Sequence, residues 1–298
     1  MPHTPLPAPP RIDVQAGAIR LSAIRRDPPP GVPVRPVPFL LLHGLASNAR
    51  LWDGVGAALA AAGYPSVALD QRGHGRSDKP GGGYDYATVC ADAAAAIDAL
   101  GLDRPIVVGQ SWGGNVVVEL AARHPDRVRG VVAVDGGMIA LDGHFPTWEA
   151  CRDALAPPRL AGTPQARMEA WIRDAHPDWP EAGITGTLEN FRHLPDGTIA
   201  PWLAYDDHLA ILREIWENPP QPLYPGLRVP VLFLPAERPG DGSPLAAIRR
   251  GATDDAALRI PVCRVRWFHD ADHDVHAQLP DEVAGVMIDA VRDGFFPA

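Results

Sequence analysis

Short apolar runs alternate along the chain with longer stretches that have helical spacing. Such runs predict strands covered on both faces, and strands alternating with helices predict an α/β fold whose mostly parallel sheet has helices on both sides. The predicted strands are Phe39–Leu42, Ser66–Leu69, 105–108, 128–134, 229–234 and 263–268. The predicted helices are 48–62, 86–100, 115–123 and Pro280–Arg292.

The segment between residues 136 and 226 departs from this alternation. It has no signal for a buried strand, while prolines and aromatic residues become frequent. We interpret it as a helical cap inserted into the α/β core. The predicted division is therefore a first core part at 1–135, the helical cap at 136–226 and a second core part at 227–298.

The N-terminal residues carry no sign of a targeting segment. Residues 1–10 are rich in proline, lack an apolar h-region and predict a disordered tail. Residues 11–15 and 18–25 flank Ala16-Gly17 and predict a hairpin. The three cysteines lie far apart, in no metal-ligand spacing, and are typical of reduced thiols. We therefore predict a cytoplasmic protein.

The charge balance limits the kinds of partner. The 298 residues carry a net charge of -9 at pH 7, which argues against nucleic acid and against an anionic membrane surface. No apolar run approaches the ~20 residues that a membrane span needs. The expected partner is a small-molecule substrate, and the sequence leaves open whether the protein is a monomer or a homodimer.

The stretch Gly109-Gln110-Ser111-Trp112-Gly113 lies between a predicted strand and a predicted helix. A Gly-x-Ser-x-Gly stretch in that context is typical of a nucleophile elbow, a sharp turn that exposes the serine hydroxyl above the sheet. Side chains at Gly109 and Gly113 would clash in such a turn. The following helix brings its positive end close to Ser111. The alternative is a glycine-rich turn with an idle serine.

Four motifs follow one another along the chain. They are His43-Gly44, the Asp-x-Arg-Gly-x-Gly-x-Ser-Asp stretch at 70–78, the Gly-x-Ser-x-Gly stretch around Ser111, and a late histidine. In this order they resemble the α/β-hydrolase superfamily, in its capped esterase, lactonase and carbon–carbon hydrolase branch. The resemblance implies a mostly parallel sheet of the eight-stranded type, flanked by helices and carrying an inserted helical cap.

The resemblance implies that Ser111 is the nucleophile and that a histidine takes its proton. A serine hydroxyl is a poor nucleophile at neutral pH and needs such a base. His273 lies just past the last predicted strand, where strand ends open onto the rim that carries the elbow. His276 is the rival, but we expect it to pack or to cap a helix. His43 resembles the structural histidine of the family's His-Gly turn.

The family's oxyanion hole corresponds here to the backbone N–H groups of Leu45 and Trp112. Such donors act where charge develops and contribute about 3 kcal/mol each. The indole of Trp112 is expected to form a wall of the pocket. The stretch 70–78 corresponds to a structural loop, in which Arg72 is expected to pair with the acids of the loop.

The acid that orients His273 is not placed by the common pattern. Its usual slot, after the strand at 229–234, holds a proline here, with Asp241 and Glu237 beside it. A third candidate, Asp135, follows the strand next to the nucleophile's, and two glycines after it allow the carboxylate to be aimed. We favour Asp135 and keep Asp241 and Glu237 as alternatives.

Neither a cofactor nor a metal is predicted. The segment Asp272-His273-Asp274-x-His276 invites a zinc interpretation, but a third ligand at suitable spacing is missing. Gly73 and Gly75 are not followed by the lysine or the helix of a phosphate-binding loop.

A serine nucleophile predicts acyl-enzyme chemistry, and we expect a serine hydrolase that cleaves a carboxylic ester or lactone. Two alternatives are a carbon–carbon hydrolase or cofactor-free oxidative enzyme on the same scaffold, and a non-catalytic ligand-binding protein. Aromatic residues of the cap favour a hydrophobic or aromatic substrate, although most should pack in the core. These residues are Phe145, Trp148, Trp171, Trp179, Phe191, Trp202, Tyr205 and Trp216. Arg192 and Arg213 are the cap residues available to clamp a carboxylate.

Overall fold

The computed structural model describes residues 10–238, 240 and 244–297, without the side chains of 244 and 245. Most of the predicted N-terminal tail and the candidate acid Asp241 therefore lie outside the described residues. The strands are β1 Arg11–Ala16, β2 Ile19–Arg26, β3 Phe39–Leu42, β4 Ser66–Leu69, β5 Ile106–Gln110, β6 Gly130–Val134, β7 Thr163–Pro164, β8 Phe191–His193, β9 Thr198–Pro201, β10 Val231–Leu234, β11 Ala236–Glu237, β12 Cys263–Val265 and β13 Phe268–His269.

Helices fill most of the connections between these strands. They are α1 Asp53–Ala61, α2 Tyr86–Ala99, α3 Trp112–Arg123, α4 Trp148–Leu155, α5 Gln165–Ala175, α6 Glu181–Leu188, α7 Tyr205–Glu217, α8 Pro244–Arg259, α9 Val275–Gln278 and α10 Pro280–Arg292. Short 3-10 turns precede α1 at Ala49–Trp52 and follow α3 and α7 at Pro125–Arg127 and Gln221–Gly226. Among the described residues, no helix combines the length and the apolar character needed to cross a membrane.

The core is a sheet of eight strands in the order β1-β2-β4-β3-β5-β6-β10-β12. The first two strands pair antiparallel, as the hairpin prediction requires, and the strands from β4 to β12 run parallel. Alternate residues of β5 face opposite sides, so that Val107 packs into one hydrophobic cluster and Val108 into the other. The structure confirms the predicted fold class, and β5 lies in the middle of the sheet between β3 and β6.

Helix α8 was missed by the sequence interpretation. Its sequence contains several alanines, an internal glycine at Gly251 and charged residues scattered between them, so that no apolar stripe stands out. The predicted strand 263–268 is in fact interrupted, because β12 ends at Val265 and β13 begins at Phe268 in a separate two-stranded sheet.

The segment between β6 and β10 contains α4 to α7 together with a three-stranded sheet in the order β7-β9-β8. The helical cap expected from the sequence is therefore partly β-structure. These strands are two to four residues long, and only β9 has buried residues, Ile199 and Ala200, so that they lack the continuous apolar run of a buried strand. The exact division of the chain at 136 and 226 stays a prediction.

Helix α6 lies directly on the core. A Cβ atom at Gly183 would come 2.9 Å from the carbonyl oxygen of Ala277, and one at Gly186 would come 3.0 Å from that of Arg50. Asn48 donates a further hydrogen bond of 2.8 Å to the carbonyl oxygen of Gly186. The two glycines thus allow α6 to approach the core backbone closely.

Candidate active site

Ser111 occupies the sharp turn between β5 and α3, with a φ angle of 54°. A side chain at Gly109 would meet the carbonyl oxygen of Gly113, and a Cβ at Gly113 would lie 2.5 Å from the carbonyl oxygen of His43. Left-handed backbone at a non-glycine residue is strained and is common at functional sites. The turn therefore has the steric demands that the sequence predicted.

Asp135 follows β6, the strand beside β5, and its carboxylate faces His273. Its Oδ2 lies 2.6 Å from Nδ1 of His273, and its side chain is only 1% exposed. The other oxygen, Oδ1, accepts a hydrogen bond of 3.1 Å from the backbone N–H of Ala236. Asp135 itself has a φ of 38°, so that the acid as well as the serine sits in a left-handed turn at a strand end.

Ser111 and His273 line the same cavity of about 150 Å³. Within the described part of the chain, no hydrogen bond joins their side chains; such contacts commonly tighten only when substrate binds. Gln110, the neighbour of the serine, donates from Nε2 to the carbonyl oxygen of His273 at 3.2 Å. The loop that carries His273 is thereby tied to the end of β5.

The environment of His273 favours its protonated form. Burial lowers the pKa of His273, but the hydrogen bond and the negative charge of Asp135 outweigh burial, and the pKa is raised above its ordinary value. The side chain is 48% exposed, which limits the effect of burial. As the pH falls, an enzyme whose base has a raised pKa loses activity at a higher pH than an enzyme whose histidine has the ordinary pKa.

Glu237, an alternative acid, and His276, the alternative base, make contacts with other residues. Glu237 bonds to Nδ1 of His269 at 2.6 Å and to Arg250 at 2.9 Å, away from His273. His276 is fully buried with its ring centroid 4.3 Å from that of Trp52, and burial lowers its pKa to about 3. It packs, in agreement with the expectation from the sequence.

Leu45 and Trp112, whose backbone N–H groups are the expected oxyanion hole, are close to Ser111 in different ways: Leu45 lines the same cavity, and Trp112 is the next residue in the chain. Trp112 is the first residue of α3, where an N–H has no acceptor within its own helix. Among the described residues, no other group accepts a hydrogen bond from either N–H. His43 holds the turn before Leu45, because its Nε2 accepts from the N–H of Gln71 at 3.0 Å.

Two expectations about side chains near the serine are wrong. The indole of Trp112 is 1% exposed and stacks on His74 at a ring distance of 5.5 Å, instead of forming a wall of the cavity. Arg72 pairs with Asp92 of α2 at 2.5 Å and not with an acid of its own loop. Asp70 is bonded instead by Arg11, at 2.6 Å, since the N-terminal strands lie beside that loop.

The segment between β6 and β10 contributes a largely polar wall to the cavity at Ser111, formed by His176, Trp179, Thr187 and Asn190. Of the eight aromatic cap residues singled out from the sequence, Trp179 is the one placed on this wall. Trp171 is 60% exposed. Arg213 bonds to Glu217 at 2.7 Å, and Arg192 lies 5.8 Å from the ring of Trp202; neither lines the cavity.

Other concave regions of the described chain are larger but lack the serine. One of about 450 Å³ borders Lys79 and Asp92, and one of about 220 Å³ borders Arg25 and Asp103. The cavity at Ser111, in contrast, combines a strained serine, a histidine and free backbone donors. The described residues contain no group of three or more His, Cys, Asp or Glu side chains arranged to hold a metal ion.

Arg249 binds the carboxylate oxygen of Asp135 that does not face His273. Its Nε lies 3.4 Å from Oδ1 of Asp135, and its Nη1 donates to the carbonyl oxygen of Ala236 at 2.7 Å. Burial lowers and Asp135 raises the pKa of His273, and the charge of Arg249 acts to lower it. No sequence pattern indicates this contact, because Arg249 lies on α8, the helix that was not predicted.

Replacing Arg249 by glutamine is expected to move the acidic limb of the pH profile of kcat/KM to higher pH, because a charge that opposes protonation of His273 is lost. Activity at about pH 6 should fall several-fold relative to activity at about pH 8. Arg249→Lys should keep the limb in place, and Arg250→Gln, which breaks the bond to Glu237, is the matched control. An unmoved limb in Arg249→Gln would mean that Arg249 only holds the Ala236 carbonyl.

Comparison with known proteins places this geometry in a family. A sequence profile described as the alpha/beta hydrolase fold matches residues 37–174. The 2-(acetamidomethylene)succinate hydrolase of Mesorhizobium japonicum is 32% identical over 247 residues, which cover 82% of this chain and 84% of that protein.

Solved structures agree on the fold. The crystal structure of E-2-(acetamidomethylene)succinate hydrolase has a TM-score of 0.76 at 24% identity and covers 95% of this chain and 99% of its own. The enol-lactonase from Burkholderia xenovorans has a TM-score of 0.65 at 22% identity and covers 95% and 100%.

The fold and the serine turn define a hydrolase of α/β architecture. The chain belongs to the α/β-hydrolase family, as the resemblance of its motifs implied.

Proposed function

We propose that the protein is a serine hydrolase that cleaves a carboxylic ester or lactone. The observation that carries the proposal is the 2.6 Å contact between Asp135 and His273, on a strand end beside the one that presents Ser111. A nucleophile, a base and an acid that orients the base are the groups that acyl transfer requires.

In the proposed reaction, Oγ of Ser111 attacks the acyl carbon while Nε2 of His273 takes its proton. Asp135 holds the Nδ1–H and stabilises the imidazolium that forms. The N–H groups of Leu45 and Trp112 bind the oxyanion of the tetrahedral intermediate. His273 then protonates the leaving oxygen, and water hydrolyses the acyl-enzyme by the reverse set of proton transfers.

The size and walls of the cavity support a small acyl group. Its volume of about 150 Å³ is well below the ~300 Å³ of an ordinary site for a drug-sized ligand. Polar side chains such as His176, Thr187 and Asn190 form much of its cap side. The polar part of the wall favours a small polar acyl group, whereas the hydrophobic or aromatic substrate expected from the sequence is supported by the apolar lining residues Leu45, Leu51 and Trp179.

A second candidate is cleavage of an amide-like bond. The relative from Mesorhizobium japonicum, which matches over 82% of this chain, is named for a substrate that carries an acetamido group. The same serine chemistry serves amides, provided that the leaving nitrogen is protonated by the base. The carbon–carbon hydrolase alternative stays a candidate as well, because that branch uses the same serine scaffold.

Three compounds with one four-carbon acyl group separate these candidates: ethyl butanoate, γ-butyrolactone and N-ethylbutanamide. We expect acid release from the ester or the lactone at least about 100-fold faster than from the amide, measured at constant pH. Faster turnover of the amide would favour the second candidate. No turnover, together with no labelling of Ser111 by a fluorophosphonate, would leave a ligand-binding protein.

A further inference from the structure

The wall of the catalytic cavity carries a carboxylate beyond the one that orients His273. Asp274, the residue after His273, lines the same cavity as Ser111. No lysine or arginine is found among the described residues that line it. The space in which an acyl group would sit is therefore bounded by negative charge without a fixed cation to balance it.

The neighbouring carboxylate of Asp272 differs from that of Asp274, because it accepts hydrogen bonds from other side chains. Asp272 accepts from Arg238 at 2.7 Å and from Trp179 Nε1 at 3.1 Å, and His176 lies 3.4 Å from it. For Asp274, the described part of the chain provides no hydrogen-bond donor to the carboxylate. Asp274 is the N-cap residue before α9, yet its side chain caps none of the free N–H groups of that helix.

Asp274 is half-buried on the cavity wall, and a partly desolvated carboxylate without a donor from the described residues gains from a donor on a bound ligand. Burial raises the pKa of Asp274, while the charges of His273 and His176 oppose that rise. Asp135 and Asp272 are the other charged groups that act on it, and both favour its neutral form. Asp274 is thus placed to accept a hydrogen bond from whatever fills the cavity.

We propose that Asp274 selects the acyl part of the substrate: an acyl group that carries an N–H, O–H or ammonium donor is bound, and one that carries a second carboxylate is excluded. This inference rests on the proposed function, because it concerns the substrate of the same serine. It separates this chain from its relative in Mesorhizobium japonicum, whose name specifies a succinate. A second carboxylate on the substrate would lie close to the like charge of Asp274, which lowers affinity. A hydrogen-bond donor on the substrate would instead pair with Asp274, which raises affinity.

Three ethyl esters test the proposal, because they differ only in the group at the far end of a three-carbon acyl chain. Ethyl butanoate ends in methyl, ethyl 3-aminopropanoate in ammonium, and ethyl hydrogen butanedioate in carboxylate. For the natural enzyme, kcat/KM should be about tenfold higher for the amino ester and about tenfold lower for the acidic ester than for ethyl butanoate. Asp274→Asn should reduce both ratios to within about threefold of one.

Asp270→Asn is the matched control, since Asp270 is exposed in the same loop and has a φ of 64°, which asparagine tolerates. It changes the net charge equally and should leave the three ratios unchanged. Asp274→Ser is a second variant if asparagine unfolds the loop, and thermal unfolding identifies that case. The amino ester should also slow fluorophosphonate labelling of Ser111 more than the acidic ester, in the natural enzyme but not in Asp274→Asn.

Equal ratios in the natural enzyme, or preference for the acidic ester, would overturn the proposal. An equal loss for all three esters in Asp274→Asn would also overturn it, because it would show that Asp274 acts on His273 and not on the substrate. Failure of the proposed function looks different: none of the esters would turn over and Ser111 would take no label.

Discussion

Ser111→Ala is expected to lower kcat/KM by about 10⁴- to 10⁶-fold on any substrate that the enzyme turns over, because the proposed nucleophile is removed. The residual rate comes from binding and from the N–H groups of Leu45 and Trp112, which remain in place. Steady-state kinetics with ethyl butanoate and mass analysis after fluorophosphonate treatment are the measurements.

The unfolding temperature of Ser111→Ala provides the control. Ser111 lies at φ 54°, where alanine is no better suited than serine, so the temperature should change little. A variant that is folded and keeps a tenth of the natural activity would exclude Ser111 as the nucleophile. Labelling at another serine would point to the same conclusion.

Asp135→Asn is expected to lower kcat by about 10⁴-fold, because an amide in this position no longer secures the tautomer of His273 in which Nε2 accepts a proton. The acid limb of the pH profile should also move to lower pH, since the hydrogen bond and charge that raise the pKa of His273 are lost. Rapid kinetics across the pH range measure both effects.

Glu237→Gln and Asp241→Asn are the controls for this variant. Glu237 is bonded to His269 and Arg250, so its loss should change kcat less than tenfold. Asp241 was the main alternative acid from the sequence, and near-normal kcat in its variant is expected. If Asp135→Asn keeps near-normal kcat while Asp241→Asn loses several orders of magnitude, Asp241 is the acid.

The parts of the fold that the sequence predicted are those with a local cause. The bounds of β3, β4 and α10 follow from apolar runs and a proline, and the serine turn follows from two glycines whose replacement would cause clashes. The prediction of Asp135 rests on its strand position, the two glycines after it and the proline in the usual slot, but its contact with His273 depends on a loop from the other end of the chain. The spacing of residues along the sequence does not show that Asp135 and His273 come within hydrogen-bonding distance.

Other features of the site were beyond the sequence for similar reasons. Arg249 reaches Asp135 from a helix without an apolar stripe. Asp274 differs from its neighbours in that none of the described residues donates a hydrogen bond to its carboxylate. The cap walls depend on how α6 is placed over the serine. None of these features is a pattern in the chain, because each arises when distant segments meet.

Because α6 packs closely on the core backbone, the enzyme can be engineered at a position outside its active site. Thr187 of this helix lines the cavity, whereas Gly186 faces the backbone of Arg50, 3.0 Å from where a Cβ would stand. A methyl group at Gly186 would push α6 away from the backbone of Arg50 and so enlarge the cavity above Ser111. No side chain that meets the substrate would be replaced. Acyl-chain length is therefore open to tuning through a residue that never touches the acyl chain.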